Sequence, residues 1–139
     1  LRDFADVRAR EGAALAAVLA GQIDRIARLT ADALAEMALR GQSQSDALRE
    51  ALARVLAATD AVDEGRLAQE LALLAVKTDI TEELDRLAAH VAAARAHLAD
   101  DQPVGRKLDF LTQEFMREAN TLCSKAQSLA LTRIGLDLK

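Results

Sequence analysis

Apolar residues return every three or four positions along most of this chain, the spacing that places them on one side of a helix. Leu15, Val18, Ile26, Leu29, Ala33 and Met37 form the first such stripe and predict a helix from about Asp3 to Arg40. Gly12 and Gly21 fall inside it, each costing about 1 kcal/mol relative to alanine, and mark places for a bend or a close contact. The polar run "RGQSQSD" (Arg40 to Asp46) reads as a break, with Ser43 or Ser45 as the N-cap of a short second helix ending near Thr59. After "TDAVDEG" a third stripe, Leu73, Val76, Ile80, Leu84, Leu87, Val91, Ala94 and Leu98, predicts a helix over about Asp63 to Asp100. The box-like "TDIT" and "TEEL" at Thr78 and Thr81 suggest a fresh start, but the stripe continues through both, so one helix, kinked at most, is expected. "DDQPVG" reads as a turn, with Asp100 or Asp101 as cap and Pro103 in the first turn of a fourth helix. That helix carries Leu108, Leu111, Phe115, Leu122 and Leu129 inward and runs to the end of the chain.

The expected fold is therefore all-α. Helices near 35 residues would be about 50 Å long, too long for a compact four-helix ball, so long antiparallel helices forming an extended hairpin or bundle, and an oligomer, are predicted. The 139 residues make one domain, with residues 1–62 as the long helix plus short helix and 63–139 as the hairpin that carries the motifs. Composition agrees: 51% of residues are hydrophobic, only 2% are aromatic and there is one proline. Such a chain is poor in the residues that strands favour.

Charge narrows the function. The net charge of −4 opposes a general polyanion binder. It is uneven, however: residues 63–101 hold nine acids and four bases, whereas residues 103–139 hold six bases and four acids. Phosphate contacts should come from the last segment. The single cysteine, Cys123, excludes an internal disulfide, fits a reducing compartment and reads as a small core residue. No apolar run is long enough to span a bilayer. The chain opens on Leu1 and stops in mid-pattern at Lys139, which reads as a portion of a longer cytoplasmic protein.

The polar residues concentrate their variety on two helices. Asp79, Glu83, Arg86, His90 and His97 share a stripe on the third, and Glu83 and His90 lie about 10 Å apart along the axis, too far to share a metal without a second helix. On the fourth, Lys107, Glu114, Glu118 and Lys125 line one strip, and Arg106, Gln113, Arg117, Asn120 and Ser124 the next. Glu114 and Glu118, at i and i+4, repel unless a cation or base lies between them, a hint of a divalent ion. Across a tight turn, His97 would face Arg106 and His90 would face Glu114. A solvated acidic face and an interhelical salt-bridge network explain the same residues.

"EGAAL" (Glu11 to Leu15), "DEGRLAQELALLAVKTDITEELDRLAAH" (Asp63 to His90) and above all "PVGRKLDFLTQEFMREANTLCSKA" (Pro103 to Ala126) resemble the C-terminal region of the YicC/YloC family. The likeness covers essentially the whole chain. It implies a bacterial, cytoplasmic, metal-dependent endoribonuclease that assembles as a ring-like hexamer. It also implies an α+β domain ahead of these helices and a closing segment like "REQVQN", neither of which is in this sequence. Asp79, Thr81, Glu82, Glu83, Leu84, Arg86 and His90 match one family block, and Arg106, Lys107, Asp109, Gln113, Glu114, Arg117, Glu118, Asn120, Ser124 and Lys125 match the other. Met116 stands where the family usually has Asn. Cys123 stands where it usually has Gly, which suggests wider helix packing there. From the resemblance follow Mn²⁺ or Mg²⁺ on Glu83, Glu114 and Glu118, catalysis by His90, Glu114 and Glu118, and RNA held by Arg106, Lys107, Arg117, Asn120 and Lys125. The rival expectation is a non-catalytic RNA clamp and oligomerisation module, an adaptor with its chemistry elsewhere.

Overall fold

The structure is a computed structural model that describes residues 2–58, 63–100 and 102–139. Among them are five helices and no strand: α1 (Arg2–Ala58), α2 (Glu64–Thr78), α3 (Thr81–Leu98), α4 (Gly105–Lys125) and α5 (Leu129–Asp137). The all-α expectation holds. Three of its boundaries do not.

The first is the break expected at "RGQSQSD". α1 runs straight through it for 57 residues, about 85 Å at the α-helical rise. Nothing in the stretch forbids a helix. It has no proline, and the cost of Gly41, about 1 kcal/mol, is met by the Ala, Leu, Arg and Glu residues that follow. The expected end near Thr59 lies outside the described residues.

The second lies at Asp79 and Ile80, where the continuous third helix divides into α2 and α3. Period-matched apolar residues on both sides concealed it. The local cause is the Asp79 carboxylate, which accepts the Thr81 amide at 2.9 Å and the Thr81 hydroxyl at 2.6 Å. It thus satisfies one of the donors that a helix start leaves open. Asp63 does the same for α2, accepting from Gly65 and Arg66. The third divides α4 from α5 at residues 126–128, where the Ser128 hydroxyl accepts the Leu131 amide at 2.9 Å. Between α3 and α4, Asp100 accepts the Gln102 amide and closes the turn instead of capping α4. Val104 holds the N-cap position, so Pro103 precedes α4 and does not enter its first turn. Asp101 lies outside the described residues.

α1 packs on α3 and α5, and α4 packs on the same two helices, so four helices enclose one core. Its deepest members are Leu84 and Leu87 of α3, Ala119 and Leu122 of α4, Ala33 of α1, and Ile80 just ahead of α3. Each fully buried leucine is worth about 1.5–3 kcal/mol. Ala33, Ala94 and Ala119, almost fully buried, let the helix axes approach closely. Contacts along α3 and α4 run in opposite order: Glu83 with Lys125, Arg86 with Glu118, Asp100 with Lys107. The ends of the expected stripes lie outside this core. Leu15 and Val18 of α1, Leu73 and Val76 of α2, and Leu129 at the start of α5 are exposed; among the described residues α2 packs on little of the bundle.

Cys123 is half-buried where α4 meets α5. Opposite this residue, where slightly wider packing is expected, stands a glycine, Gly135. A Cβ on Gly135 would stand 2.5 Å from the Cys123 Sγ and 3.0 Å from Leu122 Cδ2, so the bare glycine makes the room. Gly135→Ala should therefore destabilise the fold by about 1–3 kcal/mol through overpacking, less the gain of up to about 1 kcal/mol in helix propensity. Adding Cys123→Ala should recover most of the loss, read as thermal midpoints of the three proteins.

The Asp79 cap has its own signature. Its hydrogen bonds to Thr81 hold its pKa below the ordinary carboxylate value. A depressed folded pKa gives stability that is present above the unfolded value, near 3.9, and lost as pH falls through the folded value. Asp79→Asn, whose amide oxygen still accepts but does not titrate here, should abolish this acid-side loss, whereas Asp79→Ala should cost about 0.5–2 kcal/mol at neutral pH, both measured by urea unfolding between pH 3 and 7.

Candidate metal and RNA site

The seam between α3 and α4 collects the polar residues that the sequence singled out. At its centre the His90 ring stands edge-on to Phe115, centroids 5.9 Å apart and planes at 85°. That contact fixes the plane of the imidazole. Its Nε2 is buried and has no hydrogen-bond partner. An unpartnered buried nitrogen costs about 1–3 kcal/mol, which asks for an explanation. One lies alongside: a His90 ring nitrogen and a carboxylate oxygen from each of Glu114 and Glu118 all fall within 4.8 Å of one another. Donors around a small divalent ion held at about 2.1 Å lie about 3–4 Å apart. One imidazole and two carboxylates at this spacing fit such an ion with modest side-chain adjustment.

The carboxylates differ in their surroundings. Glu118 is almost fully buried and Arg86 Nη1 approaches its Oε1 at 3.4 Å. The same guanidinium bonds Glu82, one turn back on α3. These two neighbours, Glu118 first, raise the Arg86 pKa further above its ordinary value. Glu114 is half-buried, with Arg117 Nη1 4.0 Å away. Its sequence neighbour Gln113 bonds Asp109 along the same helix.

Glu83 is elsewhere. It is buried, its Oε1 lies 2.8 Å from Lys125 Nζ, and its Oε2 has no hydrogen-bond partner. Lys125 also donates to the Asp79 carbonyl at 3.1 Å. The Glu83 carboxylate raises the Lys125 pKa and keeps that ammonium charged. Thus His90, Glu114 and Glu118 come together as expected, while Glu83 is joined to Lys125 and lies outside the group of three. Of the residues expected to hold RNA, Arg106, Lys107, Arg117 and Asn120 are exposed and Lys125 is half-buried. Lys107 reaches Asp100 at 3.8 Å, the ion pair that closes the α3–α4 turn.

Sequence reasoning placed Arg86 on the stripe as the ion-pair partner of a solvated acidic face and gave it no part in the site. The signal was its position between Glu82 and His90, one helical turn from each. Phe115 was read only as core, although it also orients His90.

The family model described as "Endoribonuclease YicC-like, C-terminal" matches residues 34–139. The chain belongs to this family. It is 40% identical over its full 139 residues to a protein named probable endoribonuclease YicC from Haemophilus influenzae, of which it covers 47%. A protein of the same name from Clostridioides difficile is 42% identical over 78 residues, 56% of this chain and 27% of that protein. The chain thus spans about half the length, or less, of these relatives. Among the described residues no helix is long and apolar enough to cross a membrane.

The Glu83–Lys125 pair gives a prediction independent of function. Lys125→Met leaves Glu83 buried without its cation, whereas Glu83→Gln leaves a half-exposed ammonium that water can reach. Lys125→Met should be the more destabilising, by on the order of 2 kcal/mol, read from denaturation midpoints at neutral pH.

Proposed function

We propose that these helices form the metal-binding and RNA-holding part of an endoribonuclease that cleaves RNA phosphodiester bonds, working in the cytoplasm. The relatives' names bring the reaction class. The observation that carries the site is His90, whose Nε2 is buried and partnerless and which has a ring nitrogen within 4.8 Å of carboxylate oxygens of Glu114 and Glu118. His90, Glu114 and Glu118 would hold the ion, and an imidazole donor favours Mn²⁺ over Mg²⁺, which prefers an all-oxygen shell. Such an ion, when bound, activates water and offsets charge on phosphate.

The residues themselves supply the rest. Phe115 and the packing of α3 on α4 keep the imidazole pointed at the carboxylates. Burial of Glu118 limits competing water at that carboxylate, while half-buried Glu114 marks the solvent side. Exposed Arg106, Lys107 and Arg117 contact backbone phosphates, and Asn120 offers an amide for hydrogen bonds to RNA. Lys125 contributes by bracing Glu83 and the α2–α3 break, since its ammonium is already engaged. The long antiparallel helices, with α1 exposing apolar residues beyond the bundle, assemble as an oligomer, a hexamer by the family likeness.

His90→Ala and the Glu114→Ala, Glu118→Ala double variant, made in the full-length protein, should each lose Mn²⁺ binding. Each should also cut labelled RNA at least about 100-fold more slowly, the upper end of what residues merely supporting a ligand cost. Calorimetry with Mn²⁺ and gel assays with and without EDTA check both. Unchanged cleavage in the double variant would remove the assignment. Salt-sensitive RNA binding without Mn²⁺ binding would favour a clamp whose chemistry lies elsewhere.

A further inference from the structure

The three-residue group does not use Arg86, yet Arg86 is the side chain that touches its most buried carboxylate. A purely structural partner for a buried carboxylate is expected to be tight, two-pronged and withdrawn from water. Arg86 is none of these. Its guanidinium is about half exposed, reaches Glu118 through one nitrogen at 3.4 Å, and divides itself between Glu118 and the exposed Glu82. A guanidinium has five N–H donors in a fixed fork, more than these two contacts require.

Charge points the same way. Glu82, Glu114 and Glu118 carry three negative charges, and the arginines paired with them, Arg86 and Arg117, carry two positive ones. The group is one unit negative, and a divalent cation makes it one unit positive. Glu83 and Lys125 cancel each other nearby. The remaining single positive charge matches one phosphodiester, which carries one negative charge. Arg86 and Arg117 stand on different helices, each touching a different carboxylate of the group, and both remain open to solvent.

The geometry points to Arg86 as an RNA-phosphate ligand, turning from Glu82 to grip the backbone phosphate that lies at the His90, Glu114 and Glu118 group, with Arg117 opposite. The assignment rests on the reading of that group as the RNA site. The exposed Glu82 is the placeholder that RNA displaces, and Glu118 keeps the guanidinium at the rim of the group while the exchange takes place. A planar, two-pronged donor suits phosphate better than an ammonium does.

The test uses the full-length protein, a 2′-O-methyl oligoribonucleotide as a cleavage-resistant probe, and Mn²⁺ binding followed separately by electron paramagnetic resonance. Arg86→Met should weaken RNA binding about tenfold and lower the slope of log affinity against log salt by about 0.7, with Mn²⁺ affinity within about twofold of wild type. Arg86→Lys should restore the salt slope but not the full affinity. Glu82→Gln, which leaves the Arg86–Glu118 contact in place, should tighten RNA binding. It also keeps the proposal testable if Arg86→Met fails to fold. RNA affinity and slope unchanged in Arg86→Met, or RNA binding unchanged or weakened in Glu82→Gln, would overturn the assignment. So would a fall in Mn²⁺ affinity parallel to that for RNA, which would reduce Arg86 to positioning Glu118. If the wild-type protein binds no Mn²⁺, the metal reading fails by itself. The same slopes measured in EDTA then decide Arg86: a loss in Arg86→Met supports it, and no loss overturns it.

Discussion

Burying a carboxylate between two helices is the constraint on which this structure turns. A carboxylate taken out of water costs several kcal/mol unless a cation and hydrogen bonds receive it. The α3–α4 seam buries two, Glu83 and Glu118. Each is met by a cation from the other helix, Lys125 from α4 and Arg86 from α3. The two pairs cross the seam in opposite senses, and the closer one, Glu83 with Lys125 at 2.8 Å, holds its register, since sliding one helix by a turn would leave Glu83 alone. The apolar residues around them, Leu84, Leu87 and Leu122, pack in any register that keeps them inward. It is the Glu83–Lys125 pair that selects one.

Register in turn creates the site. With Glu118 fixed opposite Arg86, Glu114 one turn away falls opposite His90, and Phe115 fills the space that sets the ring's plane. The unpartnered ring nitrogen is then a consequence of packing, and it asks for the partner that the proposed ion would supply. The arginines that touch the two carboxylates are held at the rim by the same pairs.

Outside the seam the molecule is less constrained. α1 extends well beyond the helices that cover it, and among the described residues α2 is tied to the bundle chiefly through the Asp79 turn, whose carbonyl Lys125 holds. Leu39, Leu73, Leu74 and Val76 stay exposed in consequence.

The helical class, the inward faces of α3 and α4, and the polar residues that gather at their seam were legible in the sequence, because a 3.6-residue period and a set of charged types are local properties. The family likeness was legible too, through long motifs. The sequence alone misjudged boundaries wherever an apolar stripe ran across a break, at Asp79 and at Ser128, because a period carries no information about a single capping side chain. It also placed a break in α1 at a polar run that contains no proline and continues the helix. Which carboxylate joins His90 and which joins Lys125 depended on the rotation and register of two helices, and a fraction of a turn exchanges them. The family likeness offered Glu83, Glu114 and Glu118 on equal terms. Only the packed seam, where each buried charge must find its counterpart, separated Glu83 from the other two and brought Arg86 to the site's edge.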